Sequence, residues 1–376
     1  MTLLRESTGR RSLVVSSFTP ALGSGRALRT YGIVRALADS GPVTVAYVRF
    51  GAARPDRAYL SLDNVELHEV VSTRGVRRGC AYLRARRFGA PMAVARGASP
   101  ELASTTMRLA RTHDRVIADD LTAAVALAPL ARQRPIIYSA HNVESAFRSD
   151  WGTTSAVEGF ERRILRLAAE SWIPSRADMA RAAALAPEAR LRLVPNVVDA
   201  AALPALRPAL GRPVALVVAD FTYKPNRQGL EWLLREVLPA VWTEVPELRL
   251  LVVGRGLDAP PVADRRVSSA GFVPELRAAY ESAGLAVVPL LSGGGAPLKF
   301  IEALAYGLPV VATPRAAAGL DVTPGVHYFE GDGPGGFSAA IVAALDPSRA
   351  DAVAAAGRAL VEREYSVEAQ ARRLAG

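Results

Sequence analysis

The stretch Leu285–Thr313, LAVVPLLSGGGAPLKFIEALAYGLPVVAT, decides the fold. It opens with apolar, mostly branched residues, as in a buried parallel strand. Three consecutive glycines, Gly293–Gly295, then let the backbone turn sharply and approach a ligand closely. Pro297 suits the first turn of a helix that runs to about Tyr306, and Gly307 marks its end before a second apolar strand. The pattern predicts strand, glycine loop, helix and strand within a parallel α/β sheet.

The predicted helix has two distinct faces. Leu298, Ile301 and Ala305 share an apolar face, whereas Lys299 and Glu302, three positions apart, share another. A cation and a carboxylate therefore stand beside a loop of free N–H groups at a helix N-terminus. Such a site suits an anion that carries a hydroxylated group, such as a sugar nucleotide. The alternative is an ordinary βαβ unit whose glycines serve only the turn.

The segment GGGAPLKFIEALAYGLPVVAT resembles the donor-site signature of the family-4 retaining glycosyltransferases, in the subgroup with HNxE and GGGxxLKxxEA motifs. That family has the GT-B fold and carries a pair of glutamates here. Glu302 matches the second glutamate, which binds ribose hydroxyls, but Gly294 stands in place of the first, which lies near the transferred sugar. The resemblance implies a run of donor-binding residues: Gly293, Gly294, Gly295, Ala296, Pro297, Leu298, Lys299 and Glu302.

Length and composition set broad limits. A chain of 376 residues, half of them hydrophobic, is comfortable for two domains with a core each. The single cysteine, Cys80, excludes a disulfide within one chain and fits a reducing cytoplasm. No apolar run approaches the length of about 18 residues that a membrane span needs, and the start lacks the apolar core of a secretory signal. We therefore expect a soluble, cytoplasmic protein.

The net charge is +10, and arginines crowd one segment of the first half. They are Arg74, Arg77, Arg78, Arg84, Arg86, Arg87, Arg96, Arg108 and Arg111. One interpretation is attraction to an anionic membrane, at its inner face, or to an anionic acceptor. The other, which the sequence alone favours, is a solvated basic face. Low aromatic content and the lack of a recognisable nucleic-acid module argue against nucleic acid as a partner.

The first half begins as a Rossmann-like domain. The apolar strand Ser12–Ser17 gives way to a turn with Gly23, Gly25 and Arg26 and then to a helix with apolar residues at helical spacing. In GT-B enzymes the equivalent loop approaches donor phosphates or the acceptor, so the resemblance makes these three residues candidate contacts. The alternative is a plain turn, because the sequence GSG is a weak signal.

Two carboxylates, Asp119 and Asp120, follow the predicted buried strand DRVIA. The carboxyl end of a parallel strand is where ligands bind in such sheets, so either residue is a candidate contact for an acceptor hydroxyl or amine. The alternative, a solvated loop and helix cap, is the one we favour from sequence.

The segment SAHNVES places His141, Asn142 and Glu144 just past another strand and resembles the family's HNxE segment. In the family, a histidine at this strand end touches the donor sugar. A histidine there can hydrogen-bond a sugar hydroxyl or handle a proton near neutral pH. The alternative is a histidine that only caps or packs.

The second half supplies weaker candidates for donor binding. Lys224, in the loop after the first strand, and Arg255, after the second, are candidates for the diphosphate. The resemblance places the nucleobase near Phe272 and Val273, mostly through backbone contacts. The sequence has no cluster of His and Asp residues of the kind that would indicate a metal site.

The segment PNVVD, Pro195–Asp199, resembles the family's PNGVD segment, which ends the first domain. We therefore predict an α/β fold of two Rossmann-like domains that face each other across a cleft (GT-B). The predicted parts are an acceptor-side domain at 1–199, a linker at 200–212, a nucleotide-sugar domain at 213–355, and a C-terminal helix at 356–376 that crosses back to the first domain.

The resemblance implies a hexosyltransferase that moves sugar from a nucleotide diphosphate donor to a hydroxyl or amine, with retention and with neither metal nor cofactor. One alternative is a sugar-nucleotide epimerase, and another is a non-catalytic GT-B partner subunit. The donor base and sugar and the oligomeric state stay open. So does the acceptor, whether polysaccharide, lipid-linked oligosaccharide or small natural product.

Overall fold

The computed structural model describes residues 9–49, 52–72, 76–146, 151–204, 206, 213–257, 259–260, 262–293 and 295–375. These residues form two compact units. The first runs to Asn196 and takes in the residues from Gln370 on, and the second spans Val197–Ala369. The division thus falls within the PNVVD segment, whereas the predicted first domain runs on to Asp199.

The first unit is built on a sheet that has seven strands within the described ranges. They are β1 (Ser12–Ser16), β2 (Val43–Val48), β3 (Val65–Val70), β4 (Arg115–Ala118), β5 (Ile137–Ser139), β6 (Glu170–Ile173) and β7 (Leu191–Leu193). Their order is β3-β2-β1-β4-β5-β6-β7, and neighbouring strands are parallel. Every residue of β1 and β2 is buried, as expected for parallel strands covered on both faces.

The helices of the first unit mostly begin at side chains that cap them. They are α1 (Gly25–Ala38), α2 (Arg57–Leu60), α3 (Val76–Arg87), α4 (Met92–Arg96), α5 (Pro100–Leu109), α6 (Leu121–Ala131), α7 (Thr154–Leu167) and α8 (Arg176–Leu185). The Ser24 hydroxyl accepts a hydrogen bond from the Ala27 N–H at the start of α1, and Ser175 caps α8 in the same way. Helix α3 ends at Arg87, and α4 is bounded by Pro91 as its N-cap residue and Gly97 as its C-cap residue.

The second unit contains a parallel sheet with six strands among the residues that the structure describes. They are β8 (Val214–Val218), β9 (Arg249–Val253), β10 (Val267–Ser269), β11 (Leu285–Val288), β12 (Val310–Ala312) and β13 (Phe329–Glu330). Their order is β10-β9-β8-β11-β12-β13.

The helices that follow those strands are mostly short. They are α9 (Lys224–Trp232), α10 (Leu238–Glu244), α11 (Arg277–Ser282), α12 (Leu298–Ala305), α13 (Pro314–Ala317), α14 (Gly333–Ala344), α15 (Pro347–Leu360) and α16 (Val367–Ala375). One π-helical segment, Leu233–Val237, joins α9 to α10, and a second, Val361–Tyr365, follows α15. In the part of the chain that is described, we find no helix with the length and apolar character to cross a bilayer.

The deciding stretch folds as strand, loop, helix and strand, as predicted. Its helix α12 is shorter than expected, because Pro297 precedes the helix as its N-cap residue and does not lie in its first turn. Gly307 has a φ of 75°, a left-handed conformation that glycine adopts without strain just after a helix end. The parallel pairing of β11 with both β8 and β12 places the stretch at the centre of the second sheet.

Strand order reverses at one place in each sheet. The reversal lies between β1 and β4 in the first sheet and between β8 and β11 in the second. In open parallel sheets, ligands bind outside the carboxyl ends of the strands at such a switch point. The sequence-derived candidates after β1, β4, β8 and β11 therefore belong to two places, one in each unit.

Gly229 lets α9 pack against the end of β11. A Cβ atom at this position would collide with the carbonyl oxygen of Pro289, although the φ of Gly229 is ordinary for a helix. We expect Gly229→Ala to lower the free energy of unfolding of the second unit by about 1–3 kcal/mol, because backbone must move to admit one methyl group. Equilibrium urea denaturation measures the change.

Gly159 provides the matched control, since it is exposed in α7 and nothing lies within 4 Å of its Cβ position. Gly159→Ala should be neutral or stabilising by up to about 1 kcal/mol, because alanine is the better helix former. Equal stability of the Gly229→Ala variant and the wild type would contradict the close approach.

Candidate functional site

In the second unit, the loops after β8 and β11 lie against each other. The Lys299 Nζ donates a hydrogen bond to Asn226 Oδ1 at 2.6 Å, which links α12 to the first turn of α9. Gly293 has a φ of 92°, and a Cβ there would lie 3.1 Å from the Tyr223 hydroxyl oxygen and 3.5 Å from the Pro225 ring. The glycine thus serves a turn that packs closely on the start of α9.

The start of α12 is open to a ligand's negative charge. Pro297 is its N-cap residue and supplies no side-chain hydrogen bond to the first N–H groups of the helix. Ala296 is buried, and Gly295 has a φ of 83°. Gly294, where the resembled family has a glutamate, lies outside the described residues. The partly buried Leu298 begins the helix.

Lys299 is partly buried, and burial lowers the pKa of its amino group to about 7. Burial acts in this direction because it disfavours the charged form of the amine. The protein therefore stabilises the positive charge of the Lys299 ammonium only weakly. A bound anion would favour the charged form and raise the pKa again.

Glu302 is partly buried one turn further along α12. Burial raises the pKa of its carboxyl group to about 7, although a hydrogen bond from the Tyr280 hydroxyl, at 3.2 Å, acts in the opposite direction. The Tyr280 ring stacks on Tyr306 with centroids 4.2 Å apart, so the donor is held firmly. Among the described residues, no ion pair joins Glu302 to Lys299. The two share the helix as predicted, but each has its own partner.

The two weaker diphosphate candidates differ in setting. Lys224 is exposed at the first position of α9. Arg255 donates from Nε and from a terminal nitrogen to one Asp220 oxygen, at 2.9 and 2.6 Å. Burial would raise the pKa of the Asp220 carboxyl, but hydrogen bonds from Arg255 and Thr222 outweigh it and lower the pKa. Arg255 is thus committed to a carboxylate at the end of β8, whereas Lys224 extends into solvent.

The nucleobase candidates lie after β10. Phe272 is 66% exposed, and Val273 is partly buried. The Gly254 N–H donates to the Gly271 carbonyl at 2.8 Å, which holds this segment beside the end of β9. The backbone here is therefore fixed, whereas the Phe272 ring is available to a ligand.

In the first unit, a pocket of about 130 Å³ opens at the switch point between β1 and β4. It is lined by Ser17, Arg26, Ala93, Val94, Asp120, Leu121, Thr122, Tyr138, His141, Glu144 and Trp151. Four residues predicted from sequence are thus brought together: Arg26, Asp120, His141 and Glu144. Gly23, Gly25 and Asn142 are not part of its lining, and Gly25 simply starts α1.

His141 is buried, and its contacts define its tautomer. Nε2 contacts the Asp119 carbonyl oxygen, which can only accept, so in the neutral form of the ring Nε2 carries the proton. Nδ1 then has a free lone pair, and it is buried with no hydrogen-bond partner among the described residues. The edge of the Phe18 ring packs against the imidazole, with centroids 6.3 Å apart. His141 is thus oriented so that it offers a hydrogen-bond acceptor.

Asp119 and Asp120 are buried, so the expectation that they lie in a solvated loop is wrong. Asp119 Oδ2 accepts a hydrogen bond from Thr30 Oγ1 at 2.6 Å. Asp120 is the predicted helix cap, since its Oδ1 accepts from the Ala123 N–H at 2.7 Å at the start of α6. Its Oδ2 accepts from the Ser17 hydroxyl.

Asp120 also lies 3.7 Å from a guanidinium nitrogen of Arg26. The Arg26 guanidinium is half exposed and lies 5.4 Å from the centroid of the Phe18 ring. One carboxylate thus caps a helix and orients a cation at the pocket.

Several residues that shape the two sites carry no motif. The Glu161 carboxylate accepts from the N–H groups of Glu144 and Ser145, at 2.6 and 2.9 Å, and so fixes the HNVES turn. Asn226 accepts a hydrogen bond from Lys299, and Tyr280 donates one to Glu302. In the sequence, Glu161 is one of several charged residues on an amphipathic helix, and this common pattern does not indicate that it holds the HNVES turn. Within the described ranges, no three His, Cys, Asp or Glu side chains cluster as a metal site requires.

Comparison with known proteins supports the architecture. Residues 212–347 match the family model described as "Glycosyl transferases group 1". Comparison with curated protein sequences finds no match.

The chain is similar to several solved structures over nearly its whole length. HepE from Anabaena in complex with UDP and glucose has a TM-score of 0.70 at 15% identity, over 96% of this chain and 98% of HepE. Sucrose-phosphate synthase from Thermosynechococcus elongatus has a TM-score of 0.72 at 18% identity, over 97% of each chain. TarM from S. aureus, in a complex that contains UDP, has a TM-score of 0.69 at 10% identity, over 97% of this chain and 99% of TarM. At these identities the likeness shows the fold alone: the chain has the GT-B fold, and its second unit contains the region that matches the group 1 glycosyl transferases.

Proposed function

We propose that this protein is a glycosyltransferase that moves a hexose-type sugar from a nucleoside-diphosphate donor to a hydroxyl or amine acceptor, with retention and without a metal ion. One observation carries the proposal. The glycine loop, Lys299 and Glu302 stand at the switch point of the second sheet, inside the region that matches the group 1 glycosyl transferases.

Each part of the donor has a matching group in the second unit. The Glu302 carboxylate accepts hydrogen bonds from the paired ribose hydroxyls, because an ionised carboxylate is a pure acceptor with two oxygens. The diphosphate binds Lys299 and the N–H groups that begin α12. The base lies near Phe272 and Val273. Because HepE and TarM have been solved with UDP, uridine nucleotides are the first donors to test.

The same groups support departure of the diphosphate. As the bond between C1 of the sugar and the diphosphate oxygen breaks, negative charge grows on that oxygen. The ammonium of Lys299 and the positive end of α12 stabilise this charge in the transition state. The acceptor oxygen or nitrogen bonds to C1 from the same face, and its proton passes to the departing diphosphate. No protein nucleophile takes part.

We assign the acceptor to the pocket of the first unit. Its polar lining, Arg26, Asp120 and Glu144, suits a hydroxylated or amine-bearing group. The pocket is small, with a volume of about 130 Å³, so we propose that it holds the reacting end of a larger acceptor. His141 Nδ1 accepts a hydrogen bond from a substrate hydroxyl.

A screen of nucleotide sugars by thermal shift, followed by mass spectrometry of the best donor with candidate acceptors, tests the reaction. A ligand at about 100 times its Kd stabilises the folded state by about 2.7 kcal/mol, which a thermal shift detects. Release of free nucleoside diphosphate and sugar with no acceptor present would indicate an epimerase. Binding without transfer until a partner is added would indicate a non-catalytic subunit.

Glu302→Ala should weaken binding of the best nucleoside diphosphate by about 1.5–3 kcal/mol, because hydrogen bonds from the ribose to a charged acceptor are lost. Isothermal titration calorimetry measures the affinity. Glu231→Ala, on α9 in the same unit, provides a control in which affinity should be unchanged. Unchanged affinity in the Glu302→Ala variant would refute the ribose role.

Affinity for the diphosphate should peak near pH 7 and fall on both sides. Below about pH 7 free Glu302 is protonated and must lose a proton to accept the ribose hydroxyls. Above about pH 7 free Lys299 is neutral and must gain a proton to pair with phosphate. Calorimetry across the range measures this, with the nucleoside as a comparison that should show no alkaline fall.

Two variants separate the acidic and alkaline falls in affinity. Lys299→Met should remove the alkaline fall, and Glu302→Gln should remove the acidic one. A flat profile for the wild type, or falls in affinity that survive both substitutions, would contradict the assignment.

His141→Ala should lower kcat by about tenfold to hundredfold with the fold intact, because one hydrogen bond to the reacting substrate is lost. His141→Asn keeps an acceptor near the position of Nδ1 and should retain more activity than His141→Gln, which keeps a donor near Nε2 instead. Steady-state kinetics and circular dichroism measure both properties. Full activity in His141→Ala would return His141 to a packing role.

A further inference from the structure

Helix α3 gives the first unit a basic face with no acidic residue on it. Five of its twelve residues are arginine. From the end of α3 to Pro100 the sequence adds a sixth, Arg96, and still no Asp or Glu. Arg78 and Arg86 donate to backbone carbonyls. Arg77, Arg84 and Arg87 are exposed. No described acidic side chain forms an ion pair with those three.

The exposed side of α3 is apolar along its middle. With 3.6 residues per turn, one line along the helix passes through Val76, Cys80, Leu83 and Arg87, which we call the α3 stripe. It lies opposite Ala85, the buried residue of α3. The side chain of Val76 is 84% exposed and that of Leu83 is 58% exposed. A solvated basic helix has no reason to place branched apolar residues at the centre of its outer face.

Arginines border the stripe on both sides. Arg77 and Arg84 follow it on one flank, and Arg86 lies on the other. Helix α4 continues the surface, because Arg78 on α3 bonds to the carbonyl of its last residue, Arg96, at 3.2 Å. An apolar centre with a cationic border is the arrangement of a helix that lies in the headgroup layer of a bilayer.

We propose that α3 and the adjoining start of α4 form a surface that binds anionic phospholipids, with Val76 and Leu83 entering the headgroup layer. The arginines pair with lipid phosphates, and the apolar side chains leave water for the acyl boundary. Nucleic acid, the other common polyanion, offers phosphates but no apolar layer in which these side chains could be buried. The charges and the apolar stripe together therefore favour a membrane.

The surface is linked to the pocket of the first unit through α4. Met92, the first residue of α4, is 47% exposed, and the next two residues, Ala93 and Val94, line the pocket. A chain docked through α3 and α4 would hold that pocket close to the lipid headgroups. The surface itself does not depend on the proposed transfer reaction.

Cys80 allows a direct test, because it is exposed within the α3 stripe and is the sole cysteine of the chain. An environment-sensitive dye on Cys80 should shift to the blue with vesicles of phosphatidylcholine containing about one third phosphatidylglycerol. It should not shift with phosphatidylcholine alone. In the control, a double variant carries Cys80→Ser and Ala352→Cys, so that the dye is attached to position 352 on α15 of the second unit. The emission of the dye at that position should not shift. No shift at Cys80, or equal shifts at both positions, would overturn the proposal.

Vesicle flotation of the full chain gives a second measurement. Replacing Arg77, Arg84 and Arg87 by glutamate should lower the partition coefficient by at least about a hundredfold, since each lost arginine accounts for about fivefold and the added carboxylates are repelled by the anionic surface. A control with the same change in net charge replaces Arg235, Arg249 and Arg265, exposed residues of the second unit, and should bind within about twofold of wild type. Equal losses in the two variants would overturn the assignment.

The apolar part is tested by Val76→Ser with Leu83→Ser, which should lower partitioning by about tenfold. Unchanged partitioning, or tighter binding to duplex DNA than to vesicles through the same three arginines, would contradict a membrane surface. Circular dichroism checks folding in each variant. The thermal shift with nucleoside diphosphate should persist throughout, so failure of this proposal is distinguishable from failure of the proposed function.

Discussion

The hydrogen bond between Lys299 and Asn226 fixes the geometry on which the second site depends. It joins helices α9 and α12, which follow the neighbouring strands β8 and β11, and it satisfies an amino group whose burial lowers its pKa to about 7. An unpaired buried amine would be costly. Gly293, packed on Tyr223, brings the backbone close enough for that bond to form. Lys299, the glycine loop and the start of α12 are therefore held together, and we propose that they form one anion site.

Both units place polar groups where the strand order of the sheet reverses, but the groups differ in charge between the two units. Each sheet reverses its strand order once, and each reversal carries a cluster of polar groups at strand ends. In the second unit the cluster is N–H groups and Lys299, which suit an anion. In the first unit, Asp120 and Glu144 line the pocket with His141 as a further acceptor. The first pocket, which Arg26 also lines, therefore suits hydroxylated groups. This difference between the two clusters supports our proposal of an acceptor in the first unit and a nucleotide donor in the second.

The sequence pattern predicted the strands, the glycine loop and the shared helix of Lys299 and Glu302, because these follow from spacing within one βαβ unit. The roles of Glu302 and His141 come from the family resemblance and stay predictions. The partners of Lys299 and Glu302 were not predictable in the same way. Asn226 lies 73 positions from Lys299, and Tyr280 lies 22 positions from Glu302. Such contacts depend on how separate elements pack. Burial of Asp119 was missed for the same reason: its partner, Thr30, sits on α1, far away in sequence.

The glycine at position 294 changes how the sugar must be recognised. With no glutamate there, Glu302 is the carboxylate that α12 supplies, and it is assigned to the ribose. In the proposed reaction, the positive end of α12 and Lys299 act on the diphosphate without a second carboxylate to oppose them, which would strengthen stabilisation of the leaving group. Compared with the resembled family, the hydroxyls of the transferred sugar have no glutamate at position 294 to accept their hydrogen bonds. In the proposed function, their selection falls to the backbone groups of the glycine loop.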